Sequence, residues 1–176
     1  PAAMDTLEYL HEGDVASVAV QYSYLSSPLS LAVQPEYGVD VARALFVEIY
    51  EYWTKLPQDA RPKLYLHGLS LGAYNSERSA QLFEIIADPI DGALWSGPTY
   101  QNMLWRSITA DRNEDSPAWL PEFHDGSLIR FMNQKGATVS QETPWGPIRV
   151  VYLQYASDPV TFFDPLGFYR PPAWMD

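Results

Sequence analysis

Apolar residues fall along the chain in short blocks whose spacing alternates between the period of a strand and that of a helix. Residues 3–11 (AMDTLEYLH) fit a short helix, with Gly13 just past its end as a stop. Residues 15–25 (VASVAVQYSYL) are rich in Val and Tyr and predict a strand, and the run Val15–Val20 predicts a buried one. Pro28 and Pro35 break the loop SSPLSLAVQP. From about Glu36 to Leu56, Ala42, Leu45, Phe46, Ile49 and Trp53 share one helical face, and Pro57 helps end that helix. Lys63–His67 (KLYLH) predicts a short strand, Ala73–Ala87 a helix, Gly92–Ser96 (GALWS) a strand, and Gln101–Thr109 a helical turn or two.

Residues 110–147 break this rhythm. They hold Pro117, Pro121, Pro144 and Pro147 among many polar residues, with one strand predicted at Leu128–Met132. The stretch reads as a loop-rich, lid-like insertion, after which Ile148–Tyr155 (IRVVYLQY) is a strong strand. Strands alternating with helices predict an α/β fold, a mostly parallel sheet with helices on both faces. Right-handed crossovers leave such helices little freedom of placement.

Composition narrows the choice of function. The 176 residues suit one domain, and 47% hydrophobic and 14% aromatic content is enough for a sizeable core. A net charge of −11 repels phosphate backbones and anionic headgroups, which argues against nucleic acid as a partner. The absence of cysteine removes disulfides, thiolate metal sites and a cysteine nucleophile. No apolar run approaches the roughly 18 residues of a membrane span, and no signal peptide is in view. The chain begins at Pro1, has its first methionine at Met4, and stops at Asp176 after the loop-like RPPAW. Both ends read as cut, which predicts a fragment or a processed chain.

The sharpest chemical signal is Gly68-Leu69-Ser70-Leu71-Gly72, a G-x-S-x-G sequence with a predicted strand before it and a predicted helix after it. A tight strand-to-helix turn would lift the Ser70 hydroxyl clear of the sheet. Bulky side chains beside the turn would collide, which accounts for the glycines. Backbone N–H groups at the helix start favour negative charge there, and the Leu71 N–H becomes a candidate oxyanion donor. The competing reading is a glycine-rich turn without chemistry.

Asp158, in Ala156-Ser157-Asp158-Pro159, follows the last predicted strand, where a carboxylate could orient a catalytic histidine. A turn-forming Asp-Pro pair is the plainer alternative, and Asp164, also followed by proline, is the reserve candidate. A histidine is expected after the acid in this chain order, yet only His11, His67 and His124 occur and all precede Asp158. His67 reads as a strand or turn residue, His11 as the end of the first helix, and His124 as a loop residue that could serve only if its segment folded over the site. Tyr22, Tyr24, Trp95 and Tyr100 follow or end predicted strands and are candidates for pocket walls or for ordinary packing. No metal-ligand spacing or phosphate-binding glycine loop is present, so no cofactor is expected.

Together these residues resemble the α/β-hydrolase superfamily, and within it the bacterial family whose catalytic region follows a multi-pass membrane region. The stretches that carry the resemblance are DTLEYLHEGD, VAVQYSYL, ARALFVEIYEYW, RPKLYLHGLSLG, DGALWSGP, PAWLPEF and PWGPIRVVYLQYASDPV. Leu69 departs from the family, which often has an acidic residue there. The resemblance implies Ser70 as nucleophile and Asp158 as acid. It makes residues 15–25 the fourth strand and KLYLH the fifth, with the third strand before Pro1 and the catalytic histidine after Asp176. It also implies that any membrane anchor lies in segments outside this chain. The resulting expectation is a partial catalytic domain of a serine hydrolase, esterase- or lipase-like, acting on a small-molecule or lipid acyl substrate and inactive on its own. A non-catalytic binding or assembly module on the same scaffold, and an acyltransferase, are the alternatives.

Overall fold

The computed structural model describes residues 2–23, 25, 29–30, 33, 35–80, 85–140, 142–164, 166–167 and 169–171. Helix α1 (Ala2–Leu10) leads the chain. It closes where the Gly13 N–H donates to Glu8 O at 2.8 Å and the Glu12 N–H to Tyr9 O at 3.2 Å. This is a Schellman stop. Glu12 (φ 54°) and Gly13 (φ 83°) both take the left-handed conformation, so the turn rests on more than the glycine seen in the sequence.

Helix α2 (Pro35–Thr54) matches the predicted amphipathic helix closely. Val39, Phe46 and Trp53 form its buried stripe. Its end is held by polar contacts around Trp53, whose indole N–H donates to Pro62 O at 2.6 Å. The Arg61 guanidinium stacks 4.5 Å from the Trp53 ring centre and pairs with Asp88 at 2.7 Å.

The sheet holds β1 (Tyr65–Leu69), β2 (Gly92–Ser96), β3 (Ile129–Asn133), β4 (Gly136–Ala137) and β5 (Arg149–Leu153), in the spatial order β1-β2-β5-β3-β4. β1, β2, β5 and β3 run parallel, and only β4 is antiparallel. Helix α3 (Leu71–Ser79) follows β1 and packs on α2, while α4 (Met103–Ala110) follows β2. The predicted α/β architecture with a mostly parallel sheet is thus observed. The strand predicted at 128–132 lies at 129–133 and sits inside the sheet, so the irregular segment 110–147 carries a structural strand within it. Arg130 ties the loops on either side of β3 together. Its guanidinium donates to Gly126 O at 2.8 Å and Thr143 O at 2.6 Å, and lies 3.8 Å over the Trp145 ring.

The main core gathers where β2, β5 and β3 meet α4 and the later loops. The Tyr152 ring lies between Phe131 (5.2 Å) and Trp95 (5.4 Å), with Ala73, Trp105, Ile108, Leu120 and Phe162 around them. Such aromatic pairs add about 0.5–1.5 kcal/mol each beyond the area they bury.

Two expectations need correction or limits. Over the described residues 15–23 the chain forms no strand, and Val18 (63%) and Val20 (41%) stand exposed. Val and Tyr fit a pleated surface, but a strand exists only when a neighbour completes its hydrogen-bond ladder. Among the described strands none pairs with this segment, and β2 is the only described neighbour of β1. The helix predicted at 73–87 is observed over Leu71–Ser79, and residues 81–84 of that prediction lie outside the described residues, as does Tyr24. No helix among the described residues is long and apolar enough to cross a membrane.

Candidate active site

Ser70 stands where β1 ends and α3 begins, with φ 55° and ψ −118°. A side-chain-bearing residue adopts this backbone only at a cost of about 1–3 kcal/mol, and such strain collects at functional sites. The turn is held from both sides. The Ser70 N–H donates to Ser96 O at the end of β2 (2.8 Å), and Ser70 O accepts from the Ala73 and Tyr74 N–H groups at 2.9 and 3.2 Å.

Serine before a helix usually caps it through its side chain. The Ser70 hydroxyl makes no capping bond, because the unusual dihedrals turn it off the helix end. Ser70 is partly exposed, and its hydroxyl has no hydrogen-bond partner among the described residues. The Leu71 and Gly72 N–H groups likewise find no acceptor among the described residues. A free hydroxyl therefore sits beside free amide donors at a helix start, where the helix dipole favours negative charge.

The flanking glycines differ. A Cβ on Gly68 would collide with the carbonyl of Gly72 and stand 2.6 Å from the Ala73 nitrogen, so the tight return of the chain needs glycine there. A Cβ on Gly72 would meet nothing within 4 Å beyond its own helix backbone. The collision inferred from sequence holds at Gly68 and not at Gly72.

Asp158 lies on the loop after β5, at the same carboxyl end of the sheet. Its Oδ1 accepts from the Val160 and Thr161 N–H groups at 2.8 and 3.3 Å, which closes the turn that follows. Its Oδ2 faces Gly97, the residue after the Ser96 carbonyl that Ser70 bonds, and a Cβ on Gly97 would stand 3.3 Å from that oxygen. Asp158 thus serves the Asp-Pro turn with one oxygen and leaves the other toward the β2 end. Asp164 uses Oδ1 locally, accepting from the Leu166 N–H at 2.8 Å.

The sequence model of the alpha/beta-hydrolase family matches residues 1–176. The chain belongs to the alpha/beta-hydrolase family. Searches of curated proteins and of solved structures returned no match.

In this member of the family none of the three histidines bonds to Ser70 or Asp158. His67 is exposed on β1, with its Nδ1 3.0 Å from Leu94 O. His124 is an exposed loop residue at φ 51°, its ring edge-on to Phe123 and its carbonyl accepting from Asn113 Nδ2. His11 lies in the turn that ends α1.

Two apolar groups stand near the carboxyl end of the sheet. Tyr22 packs on Leu71, Val39 and Tyr74, and burial raises its phenol above the ordinary value. Tyr100 pairs with Phe163 at 5.1 Å, and its N–H donates to Val160 O at 3.1 Å, joining the loop after β2 to the loop that carries Asp158. Trp95 faces the core instead, its indole N–H donating to Ser76 Oγ at 3.0 Å. Sequence reading misses a buried polar group beneath this edge: Glu77, Asn102 and Gln154. None carries a sequence signal of its own, and only the fold brings the three together.

Proposed function

We propose that Ser70 is the nucleophile of a serine hydrolase that cleaves an ester or similar acyl bond. The observation that carries this reading is the strained turn at Ser70, which holds an uncapped hydroxyl beside the Leu71 and Gly72 N–H groups that no acceptor among the described residues claims. Ser70 Oγ bonds to the acyl carbon and passes its proton to a histidine. The Leu71 N–H stabilises the oxyanion of the tetrahedral intermediate, and the histidine returns the proton to the departing alcohol. Water then attacks the acyl-Ser70 ester, giving up a proton to the same histidine. The acid leaves and the serine hydroxyl is restored. Asp158 would hold that histidine through Oδ2, and the histidine would come from outside these 176 residues, since His11, His67 and His124 bond to neither Ser70 nor Asp158.

The substrate is a small-molecule or lipid acyl compound, and the loops of 110–147 flanking β3 shape its pocket. Trp119 supports this: its carbonyl accepts from Gln154 Nε2 at 3.0 Å, which brings that loop to the carboxyl end of β5. The test is labelling of the natural full-length protein by a fluorophosphonate, with Ser70→Ala as control. Labelling that survives the substitution rejects the reading.

The placement of the histidines also suits a second reading, a hydrolase-like scaffold kept for binding or assembly. A full-length protein whose Ser70 never reacts with the fluorophosphonate supports it.

A further inference from the structure

Glu77 is a carboxylate on α3 that is 9% exposed and pairs with no cation among the described residues. Three donors from two other parts of the fold converge on it. Its Oε2 accepts from Asn102 Nδ2 and from the Tyr152 hydroxyl, both at 3.0 Å, and its Oε1 accepts from the Leu104 N–H at 3.0 Å. Burying a carboxylate costs stability unless donors replace its water, and here they do.

What those donors belong to gives the arrangement its meaning. Asn102 turns its Oδ1 to the Thr99 N–H (2.8 Å) and hydroxyl (3.0 Å), which fixes the loop leaving β2. That loop begins with Gly97, where an added Cβ would stand 3.3 Å from Asp158 Oδ2, directly after the carbonyl that receives the Ser70 N–H. Tyr152 lies in β5, the strand that runs into the Asp158 loop. The helix carrying Glu77 is the one Ser70 opens. One carboxylate thus joins the helix behind Ser70, the loop that supports Asp158, and the strand that leads to Asp158.

We propose that Glu77 is a positioning residue that sets Ser70 and Asp158 relative to each other. The inference rests on the reading of Ser70 as nucleophile and Asp158 as acid. Glu77 touches no reacting atom. It acts through Asn102 and Tyr152, whose neutral donors its negative charge orients.

The experiment measures the rate of fluorophosphonate labelling at Ser70 in the full-length protein, per folded molecule, with melting temperature followed in parallel. Glu77→Gln replaces one carboxylate oxygen by N–H₂, so a donor faces either Asn102 Nδ2 or the Leu104 N–H. The expected result is a fall of roughly ten- to hundredfold in labelling rate, the scale of a small misplacement transmitted to a reacting group. The double variant E77Q/N102D exchanges the two roles, with the amide now on α3 donating to a carboxylate on the loop after β2, and should recover most of that rate. An unchanged rate in E77Q overturns the proposal, as does a lowered rate that E77Q/N102D leaves unrecovered. If E77Q does not fold, Tyr152→Phe is read in the same assay: a several-fold loss supports the proposal and a wild-type rate overturns it. Ser70→Ala separates the two levels, because labelling that persists in it removes the nucleophile reading itself.

Discussion

Gly97 and Asp158 meet at the carboxyl end of the sheet, where a Cβ on Gly97 would stand 3.3 Å from Asp158 Oδ2. Gly97 has φ 55°, a backbone that costs a side-chain-bearing residue about 1–2 kcal/mol. Gly97→Ala should therefore lower stability by about that amount and also shift the carboxylate by a few tenths of an ångström. Thermal unfolding reads the first effect. Ser70 labelling in the full-length protein reads the second, and a normal rate there would show that the Asp158 position is not needed.

The two glycines of the Ser70 turn should respond in opposite ways. Gly68→Ala drives a methyl into the Gly72 carbonyl and the Ala73 nitrogen, backbone atoms that cannot step aside. It should cost about 3 kcal/mol or more, or prevent folding. Gly72→Ala enters open space on a helix, where alanine is favoured by up to about 1 kcal/mol, so stability should hold or rise. Chemical denaturation of the two variants checks both. Equal losses would mean that Gly72 is constrained by something other than space.

Ser70 offers a direct measure of stored strain. At φ 55°, ψ −118° alanine keeps the strain of serine, whereas glycine adopts the mirror-image β region freely. Ser70→Gly should be more stable than Ser70→Ala by about 1 kcal/mol or more, even though glycine ordinarily loses to alanine through chain entropy. A lower midpoint for the glycine variant in urea unfolding would count against a strained turn.

Much of this architecture is legible in the residues alone, and the exceptions share a cause. Gly92–Ser96 is placed to the residue and the long helix to within two, because their patterns are local. The G-x-S-x-G turn is readable for the same reason: its strand, glycine and helix signals are contiguous. Residues 15–23 depart from expectation because a strand depends on a neighbour that its own sequence cannot specify. Glu77 is invisible for a related reason. In AYNSERSAQ it looks like any polar residue on a helix surface, and only the approach of Asn102 and Tyr152 makes it a buried centre. Asp158 falls between these cases. Its turn-forming role is local and readable, but its nearness to Gly97 comes from loops far apart in sequence.

The Tyr152–Glu77 bond makes a prediction about alkaline stability. Burial, first, and the charge of Glu77, second, raise the Tyr152 phenol far above its ordinary value. In the unfolded chain it titrates near pH 10. The folded protein therefore keeps a proton that the unfolded chain releases, and this contribution is complete below about pH 10 and falls as pH rises beyond it. The decline from this one group approaches about 1.4 kcal/mol per pH unit. Tyr152→Phe keeps the ring between Trp95 and Phe131 but has no proton to retain. Its unfolding free energy, measured in urea between about pH 9 and 11.5, should start lower than that of the parent and decline less steeply. Parallel curves across that range would mean that Tyr152 ionises in the folded state and that the Glu77 bond does not hold its proton.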